Sequence, residues 1–270
     1  MTSITPPLSP FGGPPPVEVA LSEAPLARVL AQVRFPGVLF IEDKTRVAPF
    51  QAELRADFPV FHEEKGQNLK IEVGGGGPSV QSVESALWRF SAIDGSWTVT
   101  LMREAVTLET RAYVSRQELL AKLQGVLVAV ERHFTPVVAE RIGIRYITRI
   151  VGEGYDRIDD MVRSDMLGIA SPKLRDHVSH AISEASLTVE EGQLLLRWGA
   201  LPPNGTVDPN VLDPVSHPSW ILDIDVSSAG FSAFEATTLV DRFAALAQRA
   251  YSMFRYMVTD EFLFLYGGQL

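Results

Sequence analysis

Apolar and polar side chains alternate along residues 141–150, which read Arg-Ile-Gly-Ile-Arg-Tyr-Ile-Thr-Arg-Ile. Successive side chains of a β-strand point to opposite faces, so this alternation predicts a strand that buries one face. Arg141, Arg145 and Arg149 share the polar face of that strand, and Tyr146 belongs to the apolar face. We expect this strand to be central in the fold.

Similar alternation predicts further strands and one hairpin. Asp94-Gly95 separates two alternating segments, 88–92 and 97–101, and an Asp-Gly pair in that position favours a tight β-turn. Other extended segments are expected at 27–35, 58–73, 106–110, 178–189, 193–198, 220–226 and 260–266.

Long helices are predicted where apolar residues recur at helical spacing behind a capping motif. Ser115 with Glu118, and Ser232 with Glu235, fit the Ser-x-x-Glu capping box, in which both side chains satisfy free amides at a helix start. Helices are expected from these motifs to about residues 133 and 257, and a shorter helix at 42–58.

The order of these elements repeats: strand, loop, capping motif, long helix, strand. We therefore predict an α+β fold with a mainly antiparallel sheet and two long helices, built as two similar halves of β-meander and helix. A Pro-rich, disordered tail at 1–16 precedes an N-terminal half at 17–137 and a C-terminal half at 138–270, packed as one unit. One sheet with both long helices on one face satisfies the same pattern.

Composition narrows the class of protein. The chain is 46% hydrophobic and 21% charged, which is ordinary for a globular protein. No apolar run approaches the ~18 residues of a membrane span, and the N-terminus lacks the pattern of a signal peptide. The absence of cysteine excludes disulfides and thiolate chemistry and favours a cytoplasmic location. The net charge of −9 argues against generic nucleic-acid binding.

Catalytic motifs are absent from the sequence. There is no nucleophile elbow, P-loop or dinucleotide fingerprint, and no cofactor is expected. His177 and His180 are the closest histidine pair but have no evident third ligand, which favours a solvated segment. Asp223 and Asp225 share one strand face and are weak candidates for a metal site; they equally suit the polar face of a half-buried strand.

The three arginines of the 141–150 strand repel one another unless anions neutralise them. We favour pairing within the protein, with Asp223, Asp225 or Glu109 as partners on neighbouring strands. The alternative is an anionic ligand or an acidic partner surface, which the planar guanidinium group suits.

Several segments together resemble a family of bacterial proteins. These are residues 25–36, the Trp-x-Phe-x-x-x-Asp-Gly hairpin at 88–95, the segment 106–113, and Arg-Ile-Gly-Ile-Arg-Tyr-Ile at 141–147. They are similar to a sporadically distributed, uncharacterised family of about this length. In that family the Arg-x-Gly-x-Arg-Tyr part of this last motif commonly continues into Ile-Asn, whereas here Ile147 is followed by Thr148. The scattered distribution of the family implies a toxin–antitoxin, immunity or phage-defence context.

The sequence favours a non-catalytic, cytoplasmic protein that works by binding a protein partner or a second copy of itself. A small-anion or nucleotide site, enzymatic or not, is the alternative. Arg141, Arg145, Arg149 and Tyr146 are the candidate binding residues for either function, and no membrane or generic nucleic-acid partner is expected.

Overall fold

One antiparallel sheet runs through both parts of the chain. The computed structural model describes residues 10–12, 14–74, 77–171 and 173–269, and only the backbone of the 65–84 segment within that range. Its nine strands are β1 (Leu26–Arg34), β2 (Val60–Gly74), β3 (Gly77–Ser91), β4 (Trp97–Met102), β5 (Ala105–Thr110), β6 (Val138–Ile150), β7 (Ala181–Val189), β8 (Gly192–Leu201) and β9 (Ser219–Ala233). Their order across the sheet is β2-β3-β4-β5-β1-β6-β9-β8-β7.

Two long helices, α2 and α6, and several shorter ones accompany the sheet. In chain order the helices are α1 (Lys44–Leu54), α2 (Arg116–Phe134), α3 (Glu153–Asp156), α4 (Ile158–Met161), α5 (Ser164–Leu167), α6 (Ala236–Met257) and α7 (Asp260–Leu265), with short 3-10 turns at Leu39–Glu42, Gly168–Ala170 and Arg175–His177. The predicted α+β class, the antiparallel sheet and the two long helices, α2 and α6, are therefore confirmed.

Strand β6 lies in the interior of the sheet, between β1 and β9. Its alternation separates two environments as expected. Ile142 and Ile144 are fully buried in the main hydrophobic core, which also includes the buried faces of α2 and α6. Ile147, on the other face, is buried in a smaller cluster with Leu201 and other apolar residues. Both faces of β6 are thus covered.

The two parts of the chain contribute their strands to the sheet in a similar order. Strand β1 is followed by the meander β2 to β5, and β5 returns to pair with β1. Strand β6 is followed, after three short helices, by β7 to β9, and β9 returns to pair with β6. A long helix comes after each meander. Antiparallel pairing of β1 with β6 joins the two parts.

Two local predictions agree with the structure. The Asp94-Gly95 turn connects β3 to β4, with Gly95 at a positive φ of 69° that glycine adopts without strain. Ser115 caps α2, since its hydroxyl accepts a hydrogen bond from the Glu118 amide at 3.1 Å.

The predicted C-terminal strand is wrong, because residues 260–265 form helix α7. The hydroxyl of Thr259 caps it by accepting from the amide of Phe262 at 3.3 Å. Phe262 and Leu263 are both fully buried, whereas Phe264 is exposed. Two adjacent buried residues fit a short helix, whereas a half-buried strand would alternate buried and exposed residues.

The second capping motif is also wrong. Strand β9 continues to Ala233, and the hydroxyl of Ser232 accepts a hydrogen bond from Arg242 at 2.6 Å. Helix α6 begins at Ala236, whose amide donates to the carboxylate of Glu131 on α2 at 3.2 Å. The acceptor at the start of α6 is therefore the carboxylate of Glu131, on a helix distant in the sequence, and not the hydroxyl of Ser232 that the capping motif predicts.

The predicted Pro-rich tail falls partly outside the described residues, because residues 1–9 and 13 are not described. Pro10 is buried, and its carbonyl oxygen accepts a hydrogen bond from Arg249 on α6.

Candidate ligand site

The four candidate residues on β6 separate into two sites on opposite faces of the sheet. Arg141, Arg145 and Arg149 share the face that the loop between β8 and β9 covers, residues 202–218. Tyr146 lies on the helix-bearing face, where it lines a cavity. The alternation of a strand makes this separation unavoidable.

Arg145 is engaged by carboxylates from two directions. Its Nε and Nη2 donate to the two carboxylate oxygens of Asp223, each at 2.8 Å, and its Nη1 donates to Asp208 at 3.1 Å. Burial works to lower the pKa of Arg145, but the hydrogen bonds and charges of Asp223 and Asp208 outweigh it and raise the pKa. Asp223 is 2% exposed, so this bidentate pair is an internal structural contact.

Arg149 is held by main-chain carbonyls of the covering loop. Its guanidinium donates to the carbonyl oxygens of Asp213 and Gly205. Burial lowers its pKa, while the charge of Asp213 acts in the opposite direction. Arg149 and Arg145 therefore fix the position of a long loop that has no regular structure.

Arg141 and the two aspartates complete this polar face. Arg141 lies 3.8 Å from the carboxylate of Asp225, and burial raises the pKa of that carboxyl. The third expected partner, Glu109, instead contacts Arg28 at 3.3 Å. Among the described residues, no group of three or more histidine, aspartate or glutamate side chains is placed to hold a metal ion. Both oxygens of Asp223 accept hydrogen bonds from Arg145.

A cavity of about 350 Å³ lies on the other face of the sheet, between the beginning of α2 and the second half of α6. We call it the strap cavity, because residues 17–25, here named the strap, cross its outer side. Its volume lies within the range of about 300–1,000 Å³ that is usual for small-molecule sites. Its apolar lining comes from the strap, β1, β9, α6 and α7: Val19, Leu21, Pro25, Leu26, Ile224, Ala247, Ala250, Phe254 and Phe262.

Two tyrosines stand together in the wall of the strap cavity. The rings of Tyr113 and Tyr146 meet edge to face, with centroids 5.7 Å apart. Burial raises the pKa of Tyr113 to about 12, and burial together with the neighbouring Tyr113 raises that of Tyr146 well above its usual value. A phenol is protonated at neutral pH even without such a shift, so both tyrosines are neutral groups in the wall of the cavity.

One cation borders the strap cavity among the residues described. Arg116, the first residue of α2, donates to Gln248 Oε1 at 2.6 Å and lies over the ring of Tyr251 at 5.8 Å. Its Nη2 is 3.4 Å from the carboxylate of Glu18 on the strap. The guanidinium is thus oriented by neutral groups from α6 and neutralised by one carboxylate from the strap.

The strap is fastened by a small set of contacts. The Tyr251 hydroxyl accepts a hydrogen bond from the amide of Val19 at 2.7 Å and donates to the carbonyl of Val17 at 3.1 Å. Further along, the amide of Glu23 donates to the carbonyl of Tyr266 at 3.2 Å. Gly268 lets the strap lie close, since an added Cβ would come within 3.0 Å of the Val19 side chain. Most of the strap remains partly or fully exposed.

Neither a scan against protein-family models nor a search of curated proteins finds a match to this chain. In addition, none of the helices in the described part of the chain is long and apolar enough to cross a bilayer.

Sequence reasoning found one of the residues of the strap cavity and missed the others. Tyr146 was singled out, but only because it follows an arginine of the β6 motif. Tyr113 and Arg116 flank the Ser115 cap, and Tyr251 lies on α6, far away in the sequence. The small residues Ala247 and Ala250 on the apolar face of α6, which is buried, are the one available signal. That signal is too common to identify a site.

Proposed function

We propose that this protein binds a small, mainly apolar molecule in the strap cavity. The observation that carries this proposal is an apolar space of about 350 Å³ beside the paired phenols of Tyr113 and Tyr146. Sites for small molecules commonly combine such apolar walls with a few polar groups that fix orientation. The proposal thus keeps a binding function and places it on the face that carries Tyr146.

The arginine face supports a ligand less well. Arg145 already makes its bidentate contact with Asp223, and loop carbonyls occupy Arg149. An anion at this face has to displace these partners, and Asp223, which is 2% exposed, would lose the hydrogen bonds that offset its burial. We therefore assign Arg145 and Arg149 to the stability of the fold and to the position of the loop.

Filling the strap cavity tests this proposal. Ala250 lines it from α6 and is 2% exposed. We expect Ala250→Leu to weaken the binding of 1-decanol, measured by isothermal titration calorimetry, by about tenfold or more, because an added side chain competes for the same volume. Ala245→Leu, on the exposed side of the same helix, is the matched control and leaves binding unchanged. The absence of 1-decanol binding to the wild type, or equal binding by both variants, contradicts the proposal.

A second candidate function, association with another copy of the chain, is favoured by the edge of the sheet. Strand β7 is nine residues long, contains no proline, and pairs with β8 alone in the part of the sheet described. A long edge of this kind presents unpaired backbone groups to a further strand. Two copies joined through β7 would form a continuous sheet across a twofold axis.

Light scattering coupled to size exclusion measures this association directly. We expect a particle of twice the 29.7 kDa chain mass at micromolar protein concentration. A monodisperse particle of the mass of one chain at the same concentration removes this second function, and it leaves the ligand proposal untouched.

The broader context is also a proposal. We propose that residues 17–137 and 138–270 are two similar halves, on the ground that each begins with one strand, forms a meander that returns to it, and continues into a long helix. We place the protein in the cytoplasm and in the sporadically distributed bacterial family that its β6 motif resembles, with a role in immunity or phage defence. The cavity then lies where the long helices of the two halves meet the central strands.

A further inference from the structure

The charge around Arg116 indicates what kind of molecule the strap cavity selects. Among the residues described in its lining, Arg116 is the one cation and Glu18 the one anion. The Arg116 side chain is 17% exposed, whereas that of Glu18 is 51% exposed. The cation is therefore part of the wall, and its counter-ion comes from an exposed residue on an irregular segment.

The guanidinium of Arg116 is fixed independently of Glu18. Its Nη1 donates to Gln248 Oε1 at 2.6 Å, and its Cζ lies 5.8 Å from the centroid of the Tyr251 ring. A group so oriented is ready to meet a carboxylate without further loss of side-chain freedom. Arg116 is also the first residue of α2, where the helix dipole is positive. Both the guanidinium and the dipole therefore favour a negative charge there.

The contact with Glu18 is weak by its geometry. The nitrogen–oxygen separation of 3.4 Å is longer than that of a good charge-assisted hydrogen bond, and an exposed partner is screened by solvent. Gln248, which orients Arg116, does not itself line the cavity. The guanidinium of Arg116 is therefore the charged donor in the wall, and Glu18 engages it only loosely.

From these contacts we propose that the ligand of the strap cavity is a monocarboxylate with an apolar body, and that Glu18 occupies the place of the ligand carboxylate in this structure. The inference rests on the proposed function. The apolar body fills the space between α6 and the strap. The carboxylate replaces Glu18 at Arg116. Glu18 is then released with its part of the strap, so the strap competes with the ligand.

Sodium decanoate and 1-decanol share the same apolar chain, so comparing them distinguishes binding in the cavity from preference for a carboxylate. Both are titrated calorimetrically at concentrations below micelle formation. We expect the wild type to bind decanoate about tenfold or more tightly than decanol, because the decanoate carboxylate forms a hydrogen-bonded charge pair with Arg116. Arg116→Gln removes this preference, and an unchanged midpoint of urea unfolding shows that the fold of the variant is intact.

The strap is tested with a matched pair of variants. Glu18→Gln is expected to tighten decanoate binding by roughly two- to fivefold, the contribution of an exposed ion pair, and to leave decanol binding unchanged. Glu23→Gln makes the same charge change on an exposed residue of the same strap and is expected to have no effect. Equal effects of the two variants on decanoate binding overturn the competition by Glu18.

The outcomes distinguish this inference from the proposed function. If decanol binds and decanoate binds no more tightly, the carboxylate inference fails while the cavity remains a binding site. If neither binds to the wild type, the proposed function fails and the inference fails with it. Preferential binding of decanoate that Arg116→Gln abolishes supports both.

Discussion

Replacing Arg145 with methionine is expected to lower the free energy of unfolding by about 3–5 kcal/mol, as measured by urea denaturation followed by circular dichroism. Methionine preserves most of the side-chain volume but leaves the Asp223 carboxylate, which is 2% exposed, without its bidentate partner. An uncompensated buried charge is among the most destabilising single changes in a folded protein. The loss of the 3.1 Å contact with Asp208 adds to it by freeing the covering loop.

Arg197 provides the matched control for this prediction. It also approaches Asp223, at 3.7 Å, but its main contact is with Glu184 at 2.6 Å, and Glu184 is 56% exposed. We expect Arg197→Met to cost no more than about 1 kcal/mol. The double variant Arg145→Met with Asp223→Leu should recover most of the lost stability, because the buried charge is then absent. Equal costs for the Arg145 and Arg197 variants contradict a structural role for the Arg145–Asp223 pair.

The second large effect is expected at Gly199, on β8. Its φ of +138° is strained for any other residue, and an added Cβ would lie 1.9 Å from the carbonyl oxygen of Ala181 on β7. Gly199→Ala should therefore lower the free energy of unfolding by about 2–6 kcal/mol, because a strained backbone and overpacking both destabilise the fold. Since the clash is with backbone, relief requires β7 to move. We expect faster hydrogen exchange at residues 181–189, beyond the loss of global stability.

Gly125, in the middle of α2, is the control for this substitution. An added Cβ there meets nothing within 4 Å. Gly125→Ala is expected to raise the free energy of unfolding by about 0.5–1 kcal/mol, since alanine loses less conformational freedom in a helix. The same chemical change should thus act in opposite directions at the two positions. A destabilisation of similar size at both shows that the close approach at Gly199 is not the cause.

Local patterns predicted those elements whose stability is itself local. The Asp94-Gly95 turn and the Ser115 cap depend on residues within four positions of each other, and both are present. The alternation along β6 correctly predicted its buried apolar face, because the period of two leaves no other arrangement once the strand is interior. The predicted pairing with aspartates of the neighbouring strand is found for Arg141 and Arg145, whereas main-chain carbonyls of the covering loop hold Arg149.

The errors have a common physical cause. Residues 262–266 are apolar or aromatic at every position, so periodicity does not distinguish a strand from a short helix. Packing against α4 and α6 favours the helix. Ser232 has the right spacing for a cap, but a strong pairing of β9 with β6 extends the strand through it, and Glu131 replaces it. Tertiary contacts override a weak local preference in both cases.

The sequence by itself determined the class of fold, the central strand and the assignment of its arginines and Tyr146 to opposite faces. These properties depend on side-chain period and on residues that are close together in the chain. Only the tertiary structure decided that a loop covers the arginines and that Tyr113, Arg116, Tyr146 and Tyr251 surround a cavity under the strap. Those residues come from three separate segments, the start of α2, β6 and α6, and no short-range pattern records the distances between them.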